Sequence, residues 1–157
     1  MVTISKTGGP GLRFENEVVR LEVNDAGGVS RADVLILELV DGAYSKVAKS
    51  TSAVSQSEPY QLVGVAMEDG VNGQKVRVGL RGVFVVLCDS GVTALSNVHA
   101  GGAARSLVKK GTNPTSSGTE YRKVVGVALE AADGDYLTKV LFDGITGFAC
   151  TAGTVEE

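Results

Sequence analysis

Residues 62–82 read LVGVAMEDGVNGQKVRVGLRG, and residues 124–144 read VVGVALEAADGDYLTKVLFDG. The two stretches align without a gap at a constant offset of 62 positions, and each contains Gly-Val-Ala-x-Glu and ends in Gly. In the first copy, apolar and charged residues alternate over positions 74–81, which is typical of a half-buried strand. The sequence therefore predicts that each copy contains a strand, an acidic turn rich in Gly and a returning strand.

A period this long that occurs only twice argues against a solenoid, which needs at least three stacked units. The composition favours β structure, because hydrophobic residues make up 43% of the chain, aromatic residues only 5%, and Trp is absent. Small branched side chains suit pleated, half-buried surfaces. We predict an all-β fold, a small β-sandwich or barrel built from two related hairpin units, with long loops and at most one short helix, near residues 103–108.

Composition divides the chain into an arm and a domain. Residues 1–11 are predicted to be a flexible N-terminal arm, because they end in a Gly/Pro run that neither helices nor strands use internally. Residues 12–157 are predicted to form a single β domain. Within it, the apolar run of residues 34–40 is followed by Asp41-Gly42, a strong tight-turn signal, and by a returning strand at 43–48.

The glycines of the repeat lead to two further predictions, one about strand geometry and one about packing. Gly82, and Gly144 in the second copy, follow the returning strands, and we expect a bulge or sharp bend at Gly82, with residues 83–87 buried on both faces. Gly64 and Gly126 lie inside the first strand of each copy, where a glycine usually marks close approach by a neighbour. Tight packing within the sheet is one interpretation, and contact with a neighbouring subunit is the other.

Charge and hydrophobicity argue against two classes of partner, nucleic acids and membranes. The net charge of −3 lacks the excess of Lys and Arg that nucleic-acid binding requires, and no apolar run is long enough for a membrane span. The sequence opens without the pattern of a signal peptide, so we expect synthesis in a reducing cytoplasm. Cys88 and Cys150 are expected to be buried free thiols, although the sequence leaves a disulfide between them open.

No pattern typical of catalysis or of cofactor binding occurs. Glu68 and Glu130 are matched in the two copies, but each opens a polar turn where solvated acids are common. Asp133-Gly134-Asp135 resembles a fragment of a calcium loop without its remaining oxygen ligands. His99 is interpreted as a surface residue of a Gly-rich loop. We therefore predict no enzymatic activity, no metal and no cofactor.

The segment 61–84, QLVGVAMEDGVNGQKVRVGLRGVF, resembles phage capsid cement proteins, also called head decoration proteins. Members of that family carry Gly-Val-Ala-x-Glu, a few small residues and Gly, then Val-x-Val-x-Leu-x-Gly, and they repeat the first phrase near the C-terminus. The corresponding residues here are Gly64, Glu68, Gly82, Gly126, Glu130 and Gly144. The second copy departs from the pattern, because it ends Val-Leu-Phe-Asp-Gly.

The resemblance implies a trimer that sits on the outer surface of the phage head and stabilises the shell by bridging subunits of the major capsid protein. The N-terminal arm is then a candidate for capsid contact by strand addition to a partner's sheet edge. Its contact residues are expected to be Lys6, Thr7, Gly8, Gly9, Pro10 and Gly11. The alternative function is a glycan- or host-binding β module of a phage particle, although four Tyr, four Phe and no Trp offer little aromatic surface for sugar stacking.

Overall fold

The structure is a computed structural model that describes residues 2–4, 12–14, 16–50, 62–89, 91–100, 107–109, 121–133, 136–145 and 149–152. The strands in chain order are β1 (Val2–Ile4), β2 (Leu12–Phe14), β3 (Glu17–Val23), β4 (Val34–Val40), β5 (Ala43–Lys49), β6 (Val63–Ala66), β7 (Lys75–Leu87), β8 (Asn97–Ala100), β9 (Leu107–Lys109), β10 (Tyr121–Val124), β11 (Gly126–Ala128), β12 (Leu137–Asp143) and β13 (Ala149–Ala152). Helices are absent from these residues, and the predicted all-β class is confirmed. Of the helix considered at 103–108, residues 103–106 lie outside the described residues and the last two belong to β9.

Five strands close into a first barrel, which we call barrel one. Their order is β3, β5, β4, β6 and the first half of β7, which pairs back with β3. Neighbouring strands are antiparallel except β3 and β5, which are parallel. The predicted turn between β4 and β5 is confirmed, because Asp41 and Gly42 have φ values of 51° and 81° and reverse the chain there.

The remaining strands of the same sheet form a second closed unit, barrel two. Its order is the second half of β7, then β12, β11, β8 and β9. A parallel bridge between Cys88, directly after β7, and Leu107 in β9 closes the ring. The parallel pair Val23 and Val47 closes barrel one in the same way. The 13-residue strand β7 is therefore the last strand of one barrel and the first strand of the next.

Strand registers show that the two barrels are copies of one unit. Ala66 pairs with Val78 in barrel one, and Ala128 pairs with Val140 in barrel two. By the same registers β3 corresponds to the second half of β7, β4 to β8, β5 to β9, β6 to β11, and the first half of β7 to β12. The repeated unit is thus a whole five-stranded barrel, and the hairpins recognised in the sequence are one part of it.

Equivalent positions inside the two barrels are buried in both. The core of barrel one consists of Leu21, Val23, Val29, Leu35, Leu37, Val47, Ala66, Val76 and Val78. The equivalent positions in barrel two are, in the same order, Val86, Cys88, Val92, Val98, Ala100, Leu107, Ala128, Thr138 and Val140, and all are buried. The side chains are small or branched because each barrel of five strands encloses little volume.

The barrels are joined by an apolar junction. Val34, Val63 and Val65 are buried and belong to the same apolar cluster as the core of barrel two. Phe84 and Phe142 complete that cluster and meet edge to face, with ring centroids 6.2 Å apart and planes at 76°. Barrel two therefore packs against one outer side of barrel one, which explains why the run at 34–40 is apolar on both faces at its start.

Strand β7 changes its course where it passes from one barrel to the other. The register between β3 and β7 shifts at Glu17/Val18, opposite Gly79–Arg81, and Gly82 has a φ of 130°. These features confirm the predicted irregularity. The prediction that residues 83–87 are buried on both faces is wrong, because Phe84 and Val86 are buried whereas Val85 is 41% exposed. None of the described elements covers the outer face of barrel two at Val85.

Two further strand pairs lie outside the large sheet. β10 pairs with β13, and β1 pairs with β2 by joining Val2 to Phe14 and Ile4 to Leu12. Part of the predicted arm thus has a described partner within the chain. Residues 5–11, which include every predicted capsid-contacting residue, lie outside the described residues.

Candidate functional site

The two repeated glutamates cap turns at equivalent places in different barrels. Glu68 accepts a hydrogen bond from the backbone N–H of Arg77 at 2.8 Å and pairs with its guanidinium at 3.4 Å. Glu130 accepts from the backbone N–H of Lys139 at 3.2 Å. Each carboxylate thereby fixes the start of a returning strand, so the structure assigns both glutamates a place in the turn geometry of their own barrel.

The environment of Glu68 favours its ionised form. The backbone N–H of Arg77 is the largest influence that holds the pKa of this carboxyl below its ordinary value, and the charge of Arg77 acts in the same direction. A lowered folded pKa stabilises the fold above the ordinary pKa of 4.5, and this stabilisation is lost as the pH falls through the folded pKa.

We therefore predict that Glu68→Gln lowers the urea midpoint of unfolding at pH 7, and that its difference from the wild type shrinks between pH 5 and pH 3. Urea titrations followed by circular dichroism at each pH measure this difference. Glu130→Gln is the matched comparison and is expected to have the smaller effect at pH 7, because its backbone contact is longer. An equal difference at all pH values would contradict the role of the ionised carboxylate.

The repeated glycines make room for side chains inside each barrel. A Cβ on Gly126 would lie 2.5 Å from Val140 Cγ1, and a Cβ on Gly64 would collide with the equivalent atom of Val78. Both glycines are buried. Of the two interpretations of these glycines, the structure supports tight packing within the sheet.

The closing glycines lie at the junction between the barrels. Gly144 accepts a hydrogen bond from the N–H of Val63 at 3.0 Å, and a Cβ on Gly144 would overlap the Val63 carbonyl oxygen. A Cβ on Gly82 would collide with the side chain of Asn16, whose amide oxygen accepts from Val83 N–H at 3.0 Å. These two glycines are required by contacts between parts of the chain that are distant in sequence.

Arg81 links the same region by ion pairs that the sequence does not reveal. Its guanidinium lies 3.2 Å from Asp143 of β12 and 3.5 Å from Glu17 of β3. The three side chains therefore connect three strands at the transition between the barrels. The signal in the sequence is only an Arg and an Asp next to the two closing glycines.

The interpretation of His99 as a surface residue is wrong. His99 lies in β8, is 1% exposed, and its Nδ1 is 2.9 Å from the carbonyl oxygen of Ala100. The Gly-rich neighbourhood suggests a loop, but strand pairing with Val108 places the ring inside the protein. Histidine can be buried in this way when a ring nitrogen has a hydrogen-bond partner.

Cys88 is a buried free thiol, as expected, whereas the side chain of Cys150 lies outside the described part of the chain. Desolvation by burial raises the pKa of Cys88 to about 11; the Thr138 hydroxyl acts in the opposite direction, and the charge of Asp89 raises the pKa further. A thiol with so little thiolate at neutral pH is a poor nucleophile.

We predict that Cys88 in a Cys150→Ser variant reacts with a thiol reagent at pH 8 at least about 100-fold more slowly than a model thiol, because the raised pKa lowers the thiolate fraction and burial limits access. Labelling in urea supplies the control, since unfolding is expected to restore full reactivity. The raised pKa also stabilises the fold below pH 9, and that stabilisation is lost as the pH rises toward about 11. Rapid labelling of the folded protein would contradict this placement of Cys88.

Asp133, the first residue of the fragment that resembles a calcium loop, stabilises a turn. Asp133 Oδ1 accepts from the backbone N–H of Leu137 at 2.9 Å, and Asp133 O accepts from Tyr136 N–H at 3.0 Å. Residues 134 and 135 lie outside the described residues. Among the residues that the structure describes, no group of three His, Cys, Asp or Glu side chains has the arrangement of a metal site, and no helix is suited to crossing a membrane.

A shallow cleft of about 390 Å³ opens at one end of barrel one. Its walls are the loops at 26–30 and 69–74, which are joined by the pairing of Val29 with Gly70. Small residues and backbone atoms line most of it, and Asp69 on its rim accepts from Arg31 N–H at 2.7 Å. The cleft lacks a cluster of side chains that would define a catalytic site.

Large apolar side chains are exposed elsewhere. Leu95 is 79% exposed and Leu129 is 44% exposed, and the backbone pairing of β8 with β11 places them side by side on barrel two. A contiguous apolar patch on a soluble domain is typical of an interaction surface. Leu95 and Leu129 are therefore a candidate interaction surface, and exposed apolar residues of barrel one such as Leu39 and Val71 are others.

No protein-family model matches the sequence, and no curated protein matches it significantly. Among solved structures, the fold is similar to that of the head fiber gp8.5 N base of bacteriophage phi29, with a TM-score of 0.50 and 18% sequence identity. The similarity covers 85% of this chain and 100% of that chain. At this identity the likeness is one of fold.

Proposed function

We propose that this protein is a structural, non-enzymatic component of a phage head. The observation that carries the proposal is the fold, because the whole of the head fiber base of phi29 matches 85% of this chain. The repeated Gly-Val-Ala-x-Glu phrase, with its resemblance to capsid cement proteins, independently favours a protein of the phage head. The described part of the chain offers an apolar docking surface on barrel two and no assembled set of catalytic side chains.

Within that class we propose the cement role. The chain binds the outer surface of the head as a homotrimer and bridges subunits of the major capsid protein. A trimer that makes several weak contacts at once gains avidity well beyond a single contact, and this lets a small protein resist the pressure of packaged DNA. Its net charge of −3 suits a position away from that DNA.

The test is co-sedimentation with expanded, empty heads of the phage that encodes the protein. We expect saturable binding at a fixed ratio to the major capsid protein, and heads with the protein bound should withstand more heat before they collapse. A deletion of residues 1–11 tests the arm separately and is expected to weaken binding. Binding to a host glycan without any binding to heads would contradict the cement role and would favour the alternative.

A further inference from the structure

The duplication of the barrel shows what covers one side of barrel one. Val34 of β4, Val65 of β6 and Met67, which directly follows β6, point outward from barrel one and pack into the apolar cluster that barrel two completes. Leu87 N–H also donates to the carbonyl of Ala32 on this side at 2.9 Å, and the Phe84 ring lies against Gly79. We call Ala32, Val34, Val65, Met67 and Gly79 the barrel-one wall.

Barrel two carries an equivalent wall, on which the described residues leave large apolar side chains exposed. The registers place Leu95, Val127, Leu129 and Leu141 where barrel one has Ala32, Val65, Met67 and Gly79. We call these four residues the barrel-two wall. Ala32 is 4% exposed whereas Leu95 is 79% exposed, although both have left-handed backbone angles and donate to equivalent alanine carbonyls. Except at the exposed Asn97, which stands where barrel one has the buried Val34, the barrel-two wall is apolar, and Leu95 and Leu129 on it are exposed.

Barrel one carries the equivalent of the covering surface, whose described side chains are partly exposed. Phe84 and Phe142, which lie over the barrel-one wall, correspond to Val19 and Leu80 of barrel one. Val19 is 37% exposed and Leu80 is only partly buried. We call Val19 and Leu80 the barrel-one end. Among the described residues, the barrel-two wall and the barrel-one end are therefore partly exposed, whereas their equivalents pack together inside the molecule.

We propose that a second copy of this chain docks its barrel-one end on the barrel-two wall and so repeats between molecules the packing that joins the barrels within one molecule. In arrays of repeated units each unit contacts its neighbours in one way, and terminal units need polar outer faces to stop the array. Leu95 and Leu129 provide an apolar face instead. The contact joins two different surfaces, so copies associate head to tail and form a closed ring or an open chain.

Self-association of this kind does not require binding to a head, so it is tested with the purified protein alone. Light scattering and sedimentation are expected to give a multiple of the 16.2 kDa chain mass. Leu129→Glu in the wall and Val19→Glu at the end are each expected to weaken association more than about tenfold, because each buries a charge in an apolar contact. Val71→Glu is the control, since Val71 is 68% exposed in the turn at the opposite end of barrel one and should leave the mass unchanged.

Mixing the two variants distinguishes this geometry from a symmetric one. The Leu129→Glu protein keeps its end and the Val19→Glu protein keeps its wall, so an equimolar mixture is expected to contain a dimer of one molecule of each. Circular dichroism of both variants must match the wild type. A wild-type protein that stays monomeric up to about 1 mM, or a mixture that contains only monomers, would overturn the proposal. If the wall variant associates normally but fails to bind heads, the wall belongs to the capsid contact and self-docking there is wrong.

Discussion

Gly144→Ala is expected to lower the free energy of unfolding by about 3 kcal/mol or more, which is the upper range for overpacking a core. The added Cβ would overlap the carbonyl oxygen of Val63, and backbone atoms cannot rotate away as a flexible side chain can. The N–H of Val63 also donates to Gly144, so separating the two segments breaks a buried hydrogen bond. Urea unfolding at fixed protein concentration measures the change through the transition midpoint.

Gly91→Ala is the matched control for this prediction. Gly91 is exposed, its backbone angle does not require glycine, and a Cβ there would have no heavy atom within 4 Å. The Gly91→Ala substitution is expected to change the free energy of unfolding by less than about 0.5 kcal/mol. Comparable losses for the two variants would mean that the contact of Gly144 with Val63 does not limit stability.

Phe142→Ala is expected to cost about 3–5 kcal/mol, the range for truncating a buried aromatic side chain. Phe142 is 1% exposed, is among the largest fully buried side chains, and contacts Phe84 edge to face in the junction. The cavity would lie between the barrels, where the junction glycine holds the two backbones together and limits collapse. The same urea titration measures the loss.

The duplication supplies the control for Phe142. Leu80 occupies the equivalent position of barrel one, where it is only partly buried by the described residues. Leu80→Ala is therefore expected to cost clearly less when it is measured at a concentration where the chain is monomeric. A larger loss for Leu80→Ala than for Phe142→Ala would show that the junction contributes little to stability.

The predictions for Gly144 and Phe142 both depend on the junction, which the sequence indicates only indirectly. The alternation before Gly82 and the match of 62–82 to 124–144 are sufficient to predict the hairpins, because Gly64, Gly126 and the two glutamates are the residue types that their packing and turns require. The turn at Asp41-Gly42 is equally local. Where one turn or one strand face determines the residue type, the sequence predicts the structure correctly.

The rest of the repeat cannot be recognised in the sequence, because the other strands need only apolar residues and no particular residue type. Val23 corresponds to Cys88, Leu35 to Val98 and Val47 to Leu107, at separations of 65, 63 and 60 positions. The separations differ because the connecting segments differ in length, so no single alignment offset joins the copies. His99 shows the same limit, because pairing with a distant strand buries a side chain whose neighbours in sequence suggest a loop.

The sequence by itself therefore determined the β class and the two hairpins, and it singled out the repeated glutamates and glycines without deciding what they contact. Only the tertiary structure decided that each hairpin belongs to a closed barrel, that β7 is shared between barrels, and that one wall is covered while its equivalent is exposed. The physical reason is that turns and alternation act between neighbours in the chain, whereas barrel closure and burial depend on strands that meet across many residues.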